Sequence, residues 1–287
     1  MSAGYDDQRM QRRGRPFAIK LVPILIGLAM IGWMAVKGCQ VGPFGRQQIV
    51  AINREEEKAL GLQAFQEVLQ GEQVLRGGMD VAEVKQVAQR LIDATQDPAY
   101  LKATGQDHQT MDWAVEVVQS DQVNAFCLPG GKMVVYTGIL PICENEAGLA
   151  TVLGHEIAHA LASHGAERMA HTQMAQIALN SAGSSLSDMD AGQREAVLRT
   201  LNAGAKYGIL GYSRKHETEA DHMGLLLMAT AGFNPEESVR FWERMQQATG
   251  SAAKPPEFAS THPSHDTRIR ELQGWMPEAM KLYQSRK

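Results

Sequence analysis

VLGHEIAHALASHGAER, Val152 to Arg168, brings His155, Glu156, His159 and His164 into one short run. A helix turns about 100° per residue, so residues four apart share a face, and His155 and His159 can present ring nitrogens to one ion. Glu156, one place after the first histidine, can reach a water on that ion without occupying the ion itself. Zinc lowers the pKa of such a water and the glutamate takes its proton. Val152, Leu153, Gly154, Ile157, Ala158, Ala160 and Leu161 are uncharged, which predicts a buried helix with its ligand face open to a cleft. His164 follows His159 by five places, rotates off that face and lacks the glycine turn of the H-E-x-x-H-x-x-G-x-x-H pattern, so it reads as a helix-end histidine or as a support for a ligand. His171 and His216 read as solvent-facing or capping.

Two histidines need a third ligand, and YSRKHETEADHMG, Tyr212 to Gly224, offers it. Glu217 and Asp221 are four apart, hence on one face of a second helix. A carboxylate from that helix completes a His-His-Glu site for one Zn2+ per chain with a position left for water. Asp221 can then orient a ligating histidine through its free ring N–H. Glu219 lies about 200° from Glu217 and Asp221 only about 40°, so Glu219 is expected to point away, towards solvent or another salt-bridge partner. The other register, Glu219 as ligand with Met223 beside it, would put a thioether in a polar site.

The rest of the chain sets the frame. With 44% hydrophobic and 21% charged residues in 287, a sizeable core is available. A net charge of -4 with mixed signs leaves no basic stripe, which argues against nucleic acid as a partner. Cys39, Cys127 and Cys143 are too few and scattered for a cysteine scaffold or zinc site, and Cys127 and Cys143 read as small buried hydrophobes, the alternative being a pair in an oxidising compartment. Arg9, Arg12, Arg13, Arg15 and Lys20 precede an apolar run to Val36 that is long enough to span a bilayer, with the N-terminus on the cytoplasmic side. The competing reading is a lipid anchor at Cys39, although Lys37 sits badly in a lipidation signal.

The expected organisation is a basic cytoplasmic N-terminus (1–16), a transmembrane anchor (17–36), a linker (37–52) and a catalytic domain (53–287), which would place that domain outside the cytoplasm, in the periplasm of a bacterium. Asn53 is an expected N-cap, and Val81, Val84, Val87, Ala88, Leu91 and Ile92 mark one face of a helix from Asp80 to Ala94. MDWAVEVVQS is a strand, and VNAFCLPGGKMVVYTGIL is strand, turn, strand. Loops are expected from Ala182 to Gly192 and from Gly250 onward, before a final amphipathic helix in HDTRIRELQGWM. The fold class is α+β, mainly helical, with a small β-sheet.

NAFCLPGG, GHEIAHALASH, SRKHETEAD and THPSHDTRI, in this order, resemble the HtpX-, BepA- and LoiP-like zinc peptidases, relatives of the CAAX prenyl endopeptidases. The resemblance runs from Asn53 to Leu272. It implies a zincin-like metalloendopeptidase with His155, His159 and Glu217 as zinc ligands and Glu156 as base, closest to a short LoiP-like form with a single anchor. In THPSHDTRI, Pro263 fixes the backbone after His262, which is expected either to stabilise the developing oxyanion or to fill the fourth zinc position at rest; Arg268 is expected to anchor this segment. Asn124, Ala125 and Phe126 are expected to form a strand beside the cleft that pairs with an extended or unfolded protein substrate. The function expected is hydrolysis of misfolded or membrane-associated proteins. The alternative is a chaperone-like zinc-containing binding protein with little turnover, against which the intact Glu156 argues.

Overall fold

The computed structural model describes residues 17–251, 256–262 and 267–286. The basic cluster before residue 17 and the Pro263 position therefore lie outside the described residues. Helix α1 (Phe17–Gly38) leads into a hairpin of β1 (Cys39–Val41) and β2 (Gln47–Ile49), which pair antiparallel with Cys39 opposite Ile49. Within 37–52, the stretch read as a linker, the chain is thus folded. Phe44 adopts a left-handed turn at φ 52°, and Gly42 N donates to Arg46 O across it at 2.6 Å.

Helix α2 (Arg54–Gln70) starts at Asn53, whose side chain accepts from Glu56 N while the Glu56 carboxylate accepts from Asn53 N. That reciprocal cap satisfies two amides that the first turn otherwise leaves unpaired. Strand β3 (Val74–Leu75), α3 (Met79–Ala94), α4 (Pro98–Thr104), β4 (Ala114–Val118), β5 (Ala125–Leu128) and β6 (Lys132–Tyr136) follow. The four-stranded sheet has the order β3-β4-β6-β5, with β4 and β6 parallel and the other pairs antiparallel. Gly130 and Gly131, at φ 76° and 88°, turn β5 into β6, a conformation in which a side chain is strained. Strand β5 therefore lies at one edge of the sheet.

After α5 (Leu140–Cys143), helix α6 (Glu146–Leu161) carries the histidine motif. Every residue from Gly148 to Leu161 is buried, the outcome its uncharged flanks predict. Helix α7 (His164–Ser185) and the 40-residue α8 (Ala191–Thr230) form a long hairpin, and α9 (Glu236–Ser251), α10 (Glu257–Thr261) and α11 (Arg268–Gln284) complete the chain. The second half of α8 is the floor of the core, with Met223, Leu226, Leu227, Met228 and Ala229 fully enclosed. Helices α6 and α8 cross where Gly154 meets Gly224: a Cβ on Gly224 would lie 2.9 Å from His155 N. Only glycine at that crossing brings the histidine helix and the acidic helix into backbone contact.

Two expected loops are shorter in the structure. The stretch from Ala182 to Gly192 reduces to 186–190, because α7 runs to Ser185 and Asp190 caps α8 through Gly192 N and Gln193 N. At its start the small residues serve packing rather than turning: a Cβ on Gly183 would stand 3.8 Å from Leu198 of α8, and Ser181 just before the stretch lies where a side chain on Gly27 of α1 would stand. Likewise α9 continues to Ser251 and part of the expected second loop is α10. Near the hairpin tip, Lys20 Nζ of α1 lies 3.4 Å from Asp188 Oδ2. Among the described residues one helix, Ile19–Gly38, is long and apolar enough to cross a membrane.

Candidate metal centre

His155, His159 and Glu217, with His262, place one ligand atom each within 4.8 Å of one another. Helix α6 supplies both histidines from one face, α8 supplies Glu217, and the residue that follows α10 supplies His262. His155 Nε2 stands 3.0 Å from His159 Nε2 and 3.3 Å from Glu217 Oε2, and His159 Nε2 lies 3.4 Å from Glu217 Oε1. His262 Nδ1 completes the group at 3.1 Å from His155 Nε2 and 3.0 Å from Glu217 Oε2. Ligands around a tetrahedral zinc, with bonds of about 2.0–2.1 Å, are separated by about 3.3 Å. The spacings of 3.0–3.4 Å, with the two histidines of α6 facing different oxygens of Glu217, are close to that edge length, and the donor set of imidazole nitrogen and carboxylate oxygen is one that zinc accepts.

Electrostatics agree with a cation site. Burial acts to raise the Glu217 carboxyl, but His159, His155 and His262 outweigh it and hold its pKa well below the usual carboxylate range. Burial acts to lower the His155 imidazole, yet Asp221 and Glu217 hold it up at about 10. Glu156 is buried beside this group and burial pushes its carboxyl up. Its Oε2 accepts from Cys127 N of β5 at 3.2 Å, while the buried Oε1 has no hydrogen-bond donor among the described residues and stands 3.3 Å from His262 Nε2. A carboxylate oxygen held in this way suits a proton acceptor. A cavity of about 140 Å³ opens between β5 and α6, lined by Phe126, Cys127, Glu156, His159, Arg168 and His262.

Asp221 lies 2.9 Å from His155 Nδ1, off the axis of the ring N–H, and accepts from Arg268 Nε at 2.6 Å. Arg268 also donates from Nη2 to Glu217 Oε2 at 3.1 Å and from Nη1 to His262 O at 3.3 Å, with its guanidinium 3.8 Å over the Trp242 ring. The partner of the expected anchor is thus the acidic pair itself. Cys127 and Cys143 are free thiols.

Behind His159 lies a second polar group, in which His164 and Glu219 take one of the places expected of each and His216 does not face solvent. Of the two destinations expected for Glu219 the structure has the salt bridge, not solvent: it is buried and contacts Arg46 Nη2 at 2.9 Å and His164 Nε2 at 2.7 Å. His164, at the start of α7, is fully buried and its Nδ1 lies 2.8 Å from His159 Nδ1. His216 is buried rather than solvent-facing, stacked on His164 with ring centroids 4.2 Å apart and paired with Glu167 at 2.9 Å. His171 is half-buried on α7. A signal was present: HETEAD puts Glu217 and Glu219 on opposite sides of a helix that runs on into the apolar MGLLLMATAG, whose burial can enclose both.

Residues 81–276 match the model of peptidase family M48. The chain is 47% identical over 169 residues to the mitochondrial metalloendopeptidase OMA1 of Schizosaccharomyces pombe, covering 59% of this chain and 48% of that one. It is 29% identical over 276 residues to the human mitochondrial metalloendopeptidase OMA1, with 90% and 51% covered. To the beta-barrel assembly-enhancing protease of Yersinia pestis it is 34% identical over 158 residues, covering 54% and 32%. The chain spans about half the length of the OMA1 relatives from S. pombe and human. It belongs to peptidase family M48.

Proposed function

We propose that the chain is a membrane-associated, zinc-dependent metalloendopeptidase that cleaves extended segments of misfolded or membrane-associated proteins. The observation that carries this reading is the convergence of His155, His159 and Glu217 at tetrahedral edge distances beside a buried glutamate whose Oε1 lacks a donor. His155 Nε2, His159 Nε2 and the Glu217 carboxylate would hold the zinc. Bound there, zinc supplies Lewis acidity and lowers the pKa of a water.

Everything else is work for the chain's own residues. Glu156, raised by burial and fixed through Oε2 to the β5 backbone, receives the water's proton at Oε1 and returns it to the leaving amine. Strand β5, at the sheet edge and next to α6, is the strand an extended substrate would pair with, along Ala125 and Phe126, while Asn124 just before it turns its carbonyl to β6, where it accepts from Tyr136 N at 3.1 Å; backbone pairing favours unfolded chains over any one sequence. His262 at the fourth corner suits a resting state in which its imidazole takes the position water needs, and its departure opens the site. Relatives named as metalloendopeptidases and as a protease support the same reading.

Unfolded casein should be cleaved by the full chain, and a chelator should stop this. Glu156→Gln should keep its zinc and lose at least about 100-fold in turnover, the lower range for a positioned base. Near-normal cleavage by that variant would exclude the mechanism. His262→Ala should change the rate far more than the zinc content; unchanged kinetics would remove its role.

For the membrane, we infer that α1 crosses once and leaves the catalytic domain outside the cytoplasm, on the strength of its hydropathy and the basic residues before it. The α7–α8 hairpin, which lies beside α1, exposes Glu195 and Arg199, charges that are costly in hydrocarbon, so insertion draws α1 off that hairpin. A reporter fused after Lys287 should be active only outside the cytoplasm, and cytoplasmic activity would overturn the orientation.

A further inference from the structure

We propose that Arg46, on the hairpin that follows α1, is a positioning residue for the metal ligand His159, acting through Glu219 and His164, so that the metal centre is complete only when this hairpin is docked. The proposal rests on the metallopeptidase reading above and adds to it a dependence on a segment outside the matched family region, which begins at residue 81.

The contacts form one continuous line. Arg46 Nε donates to Glu219 Oε1 at 2.9 Å and Nη2 to Glu219 Oε2 at 2.9 Å, a two-point grip that fixes the carboxylate plane. Glu219 Oε2 meets His164 Nε2 at 2.7 Å, and His164 Nδ1 meets His159 Nδ1 at 2.8 Å. Glu219 beside a guanidinium is ionised and can only accept, so His164 carries its proton on Nε2. A neutral His164 then offers a lone pair at Nδ1, and His159 must carry its own proton on Nδ1 to donate there. That leaves the His159 Nε2 lone pair free, aimed at Glu217 and the metal position. The line from Arg46 thus selects the tautomer and ring orientation that a metal ligand needs, as a directly bonded carboxylate does at other sites.

The hairpin is held to this line by more than one bond. Arg46 also reaches Glu167, with Nη1 to Oε1 and Nη2 to Oε2 both at 3.0 Å, and the β2 amide of Ile49 donates to Glu167 Oε1 at 3.3 Å. His216 binds Glu167 and stacks on His164, which closes the polar group into a buried unit. The side chains of His164 and Glu167 are fully buried, Glu219 is 8% exposed and Arg46 25% exposed. Arg46 is the cation that this unit receives from the hairpin. Pulling the hairpin away would leave two enclosed carboxylates without it and release His164 from its orientation.

The test uses the full-length chain with Arg46→Met, Arg46→Lys and Glu219→Gln. Zinc affinity is measured by competition with a chelating indicator, and the visible d–d spectrum is recorded on the cobalt(II)-loaded protein, both well below each variant's melting temperature. Arg46→Met and Glu219→Gln should bind zinc about 10–100-fold more weakly, the usual effect of losing a partner behind a ligating histidine, and should show altered cobalt spectra. Arg46→Lys, which keeps charge but not the two-point grip, should fall between wild type and Arg46→Met. If Arg46→Met does not fold, Glu219→Gln carries the test, because it keeps the shape and leaves no unpaired charge on Glu219. Wild-type zinc affinity and cobalt spectrum in the folded variants would overturn the positioning role while the metallopeptidase reading stands. If the wild-type chain binds no zinc, the parent reading fails, and this inference with it.

Discussion

His155 and His159 sit one turn apart on α6, yet the protein supports them in different ways. His155 is backed by Asp221 on α8 and, behind it, Arg268 at the start of α11. His159 is backed by a longer line through His164 and Glu219 to Arg46, 173 residues away from that glutamate. The first support shares its helix and its arginine with Glu217, so imidazole, carboxylate pair and cation form one compact unit. The second uses an extra imidazole as a spacer and reaches out of the core to the hairpin after α1. Equal ligands in a sequence motif can therefore differ in what they depend on. One answers to the catalytic core, the other to a segment beside the apolar helix.

The largest expected effect comes from the arginine of the compact support. Arg268→Ala leaves Glu217 and Asp221 enclosed with no guanidinium, and loss of one partner in a buried ion pair costs about 3–5 kcal/mol. Chemical denaturation should show a loss on that scale together with loss of zinc; a variant as stable as wild type would mean that the two supports are not the electrostatic units described. Asp221→Asn is milder because it preserves shape. It should weaken zinc binding by about 10–100-fold. A chelator titration in which Asp221→Asn matches wild type while Glu219→Gln does not would reverse the ranking of the two supports.

The remaining effect is a matter of sign with pH. In the metal-free chain, burial outweighs Glu219 and lowers His164 to about 4 from 6.5, so the unfolded chain holds more protons between those values. Its contribution to stability is present above about 6.5 and is lost as pH falls towards 4. His155 has the opposite sign: with its pKa raised to about 10, its contribution is complete below about 6.5 and is lost as pH rises through 10. Melting temperatures of metal-free wild type and His164→Gln should therefore converge in acid and separate towards neutrality. A constant gap across that range would contradict the buried neutral imidazole on which the longer support depends.

How much of this the sequence disclosed follows the same division. The i, i+4 spacings of His155 with His159 and of Glu217 with Asp221 are local, and the structure brings all four together. The Asn53 cap, the apolar face of α3 and the hairpin of β5 and β6 were also legible, since each is set by residues close in sequence. The partners of Glu219 and the burial of His216 were not, because a helix wheel shows which way a residue points and not what it meets. The partners of Glu219 lie 55 and 173 residues away, and no local pattern joins them. Small residues from Ala182 onward looked like a loop because close helix packing and turning draw on the same residue types.

The central claim is that a single zinc is held by imidazole and carboxylate at His155, His159 and Glu217, and zinc K-edge absorption on the full-length, singly zinc-loaded chain tests it most directly. The expected spectrum has only nitrogen and oxygen neighbours, at about 2.0–2.1 Å, with the multiple scattering of at least two imidazoles. Glu217→Ala should fail to load, whereas Glu219→Gln should load more weakly with the same neighbours. A sulfur neighbour at about 2.3 Å, for which Cys127 in the cleft is at hand, or a shell of oxygen alone, would contradict the account.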